Sequence, residues 1–65
     1  MIRVNGELLE WTEGMTVQDM LNKKGYDFAL IIVTINDRLI PDDEYEETQI
    51  PDQADVKALH IHHGG

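Results

Sequence analysis

At 65 residues with no cysteine, the chain is one domain near the lower size limit for folding without staples, and disulfides and thiolate metal sites are excluded. Thirteen Asp and Glu against five Lys and Arg give a formal charge of −8. This argues against nucleic acid and anionic membranes, because binding phosphates needs a basic surface. With 42% hydrophobic residues, no apolar run near the ~20 residues of a membrane span and no signal-peptide core, the expectation is a cytoplasmic monomer.

Residues 1–4 alternate apolar and polar, and Asn5-Gly6 is the strongest two-residue hairpin signal. Residues 7–11 return as a second strand. Thr12 to Met15 breaks it, and Thr16 reads as a helix N-cap with Asp19 three residues later, a capping box with Asp in place of Glu. Val17, Met20 and Leu21 share one face, Lys23 and Lys24 suit the C-terminal end, and Gly25 sits where a left-handed cap belongs. These signals predict a helix over 17–24.

Residues 30–35 form a β-branched run ending at the turn pair Asn36-Asp37. Leu39-Ile40 is a brief strand stopped by Pro41, which cannot donate to a ladder. Residues 42–47 read as a helical turn carrying the densest acidic run, and 52–55 turn the chain again. The last strand is expected over 56–61. Val56 and Ala58 face one way, Leu59 and Ile61 the other, and periodicity does not decide which pair is inward. Apolar residues on both faces fit a central strand, covered on both sides or in part.

The order β-β-α-β-β with one extra short strand gives an α+β domain, a mixed sheet of four or five strands with one short helix across one face. That is the β-grasp order, in which the terminal strands lie side by side and parallel. The whole of 1–65 is then a single domain with a flexible tail over 62–65. The tail ends on Gly64-Gly65, a pair that chance places at about one chain end in two hundred. Without Cβ atoms, such a tail can thread a tunnel that side chains would block. It would present one chemical group, the Gly65 carboxylate.

Elsewhere the chain is poor in reactive constellations. It has no Ser, no nucleophile beside a base, no Gly-rich phosphate loop, and its carboxylates fall mainly in turns. It is therefore expected not to be an enzyme. His60 and His62 would share a strand face about 7 Å apart, a spacing that can chelate a transition metal. They are the weak metal candidates, because no Cys and no second His cluster completes a tetrahedral shell.

Taken together, these residues resemble the small β-grasp sulfur carriers of the ThiS family. The resemblance rests on the Asn5-Gly6 hairpin, the Thr16-Val17 helix opening with Leu21, and Val33-Thr34-Ile35-Asn36 followed by Leu39-Ile40-Pro41. Tyr45, where the family has an aromatic residue, and the terminal Gly64-Gly65 complete it. Ala54-Asp55 stands where the family has Gly-Asp, and His62 and His63 stand where it has small or apolar residues.

The resemblance implies a carrier with no stably bound cofactor. An E1-like adenylyltransferase, using ATP and Mg²⁺, would activate Gly65 as an acyl-adenylate while Gly64 gives clearance. A persulfide sulfur donor would then leave a thiocarboxylate, which passes sulfur to thiazole synthase in thiamine biosynthesis or to another acceptor enzyme. Two other readings stay open. One is a β-grasp module binding a metal or protein through its His-rich end or acidic surface; the other is a ubiquitin-like protein modifier.

Overall fold

The computed structural model describes residues 1–26 and 31–61. Strand β1 (Ile2–Val4) turns through Asn5 (φ 52°) and Gly6 (φ 84°) into β2 (Glu7–Leu9). Two successive positive φ values match the right-handed twist of a tight hairpin, and Asn-Gly is the pair that adopts them at least cost. The register Ile2↔Leu9, Arg3↔Leu8, Val4↔Glu7 puts Ile2 and Val4 in the core and Arg3 in solvent. The second strand is shorter than expected. Trp11 leaves the sheet half-buried, its indole N–H donating to the Ile50 carbonyl at 2.6 Å.

Helix α1 (Val17–Lys24) has the expected bounds. The Asp19 amide donates to Thr16 Oγ1 and the Thr16 amide donates to Asp19 Oδ2, both at 3.1 Å, so Asp completes the reciprocal cap. Gly25 closes the other end at φ 72°. The first helical amides need partners that the helix cannot supply. Val17 N–H donates to the Thr48 carbonyl and Gln18 N–H to the Tyr45 carbonyl, each at 3.0 Å. The loop through 45–50 therefore wraps the helix start.

Strands β3 (Ile31–Ile35) and β4 (Arg38–Ile40) form a second hairpin over Asn36 (φ 50°) and Asp37 (φ 68°). Leu30, expected to open β3, lies outside the described residues. A 3-10 turn, Asp42–Glu44, follows Pro41. Strand β5 (Asp55–His60) begins one residue earlier than expected and ends one earlier. It runs parallel to β1 and antiparallel to β3, giving one five-stranded sheet in the order β2-β1-β5-β3-β4.

One face of this sheet is covered. Val17, Met20 and Leu21 pack with Ile2, Val4, Val33, Ile35, Ile40, Val56 and Ala58, and Met15, Tyr45 and Ile50 close the core from the loops. The buried set on β5 is thus Val56 and Ala58, while Leu59 stays 60% exposed. The strand is central in the sheet yet covered on one face only.

Tyr45 is a core residue whose hydroxyl donates to the Ile31 carbonyl at 3.1 Å. Burial, and then the charge of Asp42, push its phenol above the ordinary value. A raised folded value contributes stability that is fully present below the unfolded tyrosine value of about 10 and lost as pH rises through the folded one. Denaturant midpoints should therefore fall at alkaline pH more steeply in the wild-type protein than in Tyr45→Phe. Equal slopes would show that Tyr45 does not carry the loss.

Candidate functional site

Alternation along each strand sends a second set of side chains to the opposite, open face of the sheet. Leu8 and Arg3 pair across β2 and β1, Lys57 and Thr34 across β5 and β3, Leu59 and Ile32 across the same two strands, and Leu39 pairs with Thr34. Leu8, Leu39 and Leu59 are each 60% exposed or more. Such a run of large apolar side chains on one face is the kind of surface a protein partner covers.

Charge on this face differs from the charge of the chain. Its strand residues include two cations, Arg3 and Lys57, and one carboxylate, Asp55. Lys57 Nζ lies 3.7 Å from Asp37. A shallow concavity lined by Arg3, Asn5, Gly6, Leu8, Asp55, Lys57 and Leu59 occupies its β1–β5 side. The acidic residues of 42–47 are exposed around the 3-10 turn. The −8 charge predicts a partner with a basic docking face, whereas the open sheet face offers apolar side chains with a cationic admixture.

The sequence-derived candidates divide between described and undescribed positions. Gly64, Gly65 and His62 lie outside the described residues, and the tail expected over 62–65 lies there with them. His60 ends β5 and is exposed. Among the described residues, no group of three His, Cys, Asp or Glu side chains is placed to hold a metal ion.

Acid-base machinery is equally sparse among the described residues. Thr16 is committed to the helix cap and Tyr45 to a backbone carbonyl. Glu7 accepts from Lys24 Nζ at 2.8 Å. That hydrogen bond, followed by the lysine charge, holds the carboxyl below its ordinary value and holds Lys24 above its own. An exposed pair of this kind joins the hairpin to the helix end and is not poised for proton transfer. Among the described residues, no helix is long and apolar enough to cross a membrane.

A sequence profile of the ThiS family matches residues 2–65. The chain belongs to the ThiS family. An uncharacterized protein, ycf40, of Porphyra purpurea is 33% identical over 64 residues, covering 98% of this chain and 90% of that protein. The crystal structure of the thiamine biosynthesis protein ThiS from Geobacter metallireducens superposes with a TM-score of 0.79 at 22% identity, covering 98% of this chain and 97% of that one. At that identity the likeness carries the fold, which is the β-grasp of ThiS proteins. The family is one of small sulfur carriers that work with partner enzymes; such carriers are generally not enzymes themselves.

Sequence reasoning left the open face unresolved because Leu59 and Ala58 look alike as strand residues. The register to β3 separates them, and only the fold supplies it. Leu59→Asp should change the denaturation free energy by no more than about 0.5 kcal/mol, whereas Ala58→Asp, adding an unpaired buried charge, should cost about 3 kcal/mol or more. Urea midpoints measure both, and equal losses would contradict the facial assignment.

Proposed function

We propose that this chain is a sulfur carrier whose reactive group is the Gly65 carboxylate. Membership of the ThiS family over residues 2–65 is the observation that carries the reading. The chain's own residues supply delivery and recognition, and the partner supplies the chemistry. A carboxylate is a poor electrophile until its oxygen is made a leaving group. An E1-like adenylyltransferase with ATP and Mg²⁺ would form the acyl-adenylate on Gly65 and release pyrophosphate. Sulfide attacking the carbonyl carbon would displace AMP and leave the thiocarboxylate directly. A persulfide would displace AMP to give an acyl disulfide, from which a second thiol, leaving as a disulfide with the donor sulfur, would release the thiocarboxylate. Gly64, with no side chain, gives the clearance this requires.

The open sheet face is the recognition surface in this reading. Strand β5 carries Leu59 on that face and continues in sequence toward Gly65, so a partner seated on Leu8, Leu39 and Leu59 is set to receive the chain end. Its complement is an apolar patch with a carboxylate opposite Arg3 or Lys57. The acceptor in this reading is thiazole synthase, in keeping with the name of the Geobacter protein, a thiamine biosynthesis protein.

Incubation with the adenylyltransferase, ATP and sulfide should raise the intact mass by about 16 Da, one oxygen replaced by sulfur. Gly64→Val should abolish the gain while leaving the urea midpoint unchanged. An unchanged wild-type mass would refute the carrier reading. A ladder of conjugates on a denaturing gel would favour the modifier, and metal-dependent binding lost in His60→Ala with His62→Ala would favour the metal module.

A further inference from the structure

The two hairpin turns share a feature that the hairpins themselves do not need. Each begins with an asparagine in the left-handed region, Asn5 at φ 52° and Asn36 at φ 50°. Each sends its side-chain amide onto the backbone of β5. At the entry to the strand, the Asn36 carboxamide makes one bond, its Oδ1 accepting from the Asp55 amide at 2.9 Å, beside a backbone bond from the Asn36 N–H to the Asp55 carbonyl at 2.8 Å. At the exit, the Ala58 amide donates to Asn5 Oδ1 at 2.9 Å, and Asn5 Nδ2 donates to the Ala58 carbonyl at 3.1 Å.

The exit contact continues a ladder. Along the β1 side of β5, Arg3 N–H donates to the Ala54 carbonyl and Asn5 N–H to the Val56 carbonyl, both at 2.9 Å. Ala58 is the next residue in that alternation, but β1 has ended at Val4. The Asn5 carboxamide takes the place of the missing peptide, offering one acceptor and one donor to the N–H and C=O of a single residue. The amide's orientation follows from its partners, an N–H on one side and a carbonyl on the other. Asn5 Nδ2 also lies 3.4 Å from Tyr26 Oη.

We propose that Asn5 is a positioning residue for the chain end: its side-chain amide extends the β1–β5 ladder to Ala58 and thereby holds from the β1 side a strand whose last residues, Leu59 and His60, are paired to β3 on the other side. Glycine suits the turn equally well, since both positions of this hairpin take positive φ, but it cannot make either bond to Ala58. Aspartate keeps the acceptor and replaces the donor with an oxygen facing the Ala58 carbonyl. Ala58 is the last buried residue of β5, so what is lost there changes the exit and leaves Val56 in place. Asn36, whose carboxamide makes a single bond at the opposite end of the strand, is the internal control.

The test compares Asn5→Gly, Asn5→Asp and Asn36→Gly with the wild type, by amide hydrogen exchange and by turnover with the adenylyltransferase. Asn5→Gly should speed exchange at Ala58 about tenfold beyond any change at Val33, the signature of local rather than global opening. Turnover rests on the carrier reading, and there kcat should fall about tenfold and by more than KM rises, because Leu8, Leu39 and Leu59 stay in place and the delivered group is misplaced. Asn5→Asp should lower kcat in the same direction while keeping the Ala58 amide protected. Asn36→Gly should change neither the Ala58-to-Val33 ratio nor kcat. Uniform exchange increases in Asn5→Gly, unaltered kcat in both Asn5 variants, or an equal kcat loss in Asn36→Gly each overturn the proposal. No activation of the wild-type chain is a failure of the carrier reading instead, and the exchange comparison still decides whether Asn5 holds the exit.

Discussion

The parallel pairing of β1 with β5 is the constraint on which the rest of the molecule depends. It joins the first strand to the last across nearly the whole chain, so it forms only when everything between has been folded into crossovers. Parallel neighbours cannot be linked by a tight turn. Here the link contains β2, the helix, the second hairpin and the 3-10 turn; the hairpin extends the sheet beyond β5, and the helix packs on one face of it. The result is a central β5 flanked by β1 and β3, with one face closed by Val17, Met20 and Leu21 and the other left open.

That single-sided closure has two consequences for function. The one helix among the described residues covers the opposite face, and Leu8, Leu39 and Leu59 on the open face stay in solvent. The loop through 45–50 is held by the helix start, through the Thr48 and Tyr45 carbonyls, and the 3-10 turn before it carries exposed acidic side chains. Negative charge thereby accumulates around the turn while the open face holds Arg3 and Lys57. Net charge describes long-range steering and solubility; local composition describes what can seat on a face. In this chain the two differ: the −8 total contrasts with an open face where Arg3 and Lys57 meet the carboxylates of Asp55 and Asp37.

Much of the architecture was legible in sequence because local signals agreed with the fold. Asn5-Gly6, the Thr16–Asp19 cap and Gly25 each force one local geometry, and the hairpin and the helix bounds follow from them. Pro41 stopped β4 for the same reason. Other features depend on distant partners. Tyr45 stands within an acidic run, and its burial comes from the core residues it meets. Val56 and Leu59 are equivalent apolar residues until β3 sets the register. The role of Asn5 was hidden because its turn preference is a sufficient local explanation, and Ala58 lies 53 positions away. Family membership connects this fold to sulfur carriage, a link that composition and periodicity do not make.

The central claim is that the Gly65 carboxylate is the group on which a partner acts. Adenylation is reversible, so it is read most directly by the exchange of labelled pyrophosphate into ATP, catalysed by the adenylyltransferase in the presence of this chain and in the absence of any sulfur source. Exchange should require the chain, and it should vanish when the Gly65 carboxylate is converted to a carboxamide, which leaves the sheet, its open face and Asn5 unchanged. Exchange that persists with the carboxamide, or that never depends on the chain, would contradict the account.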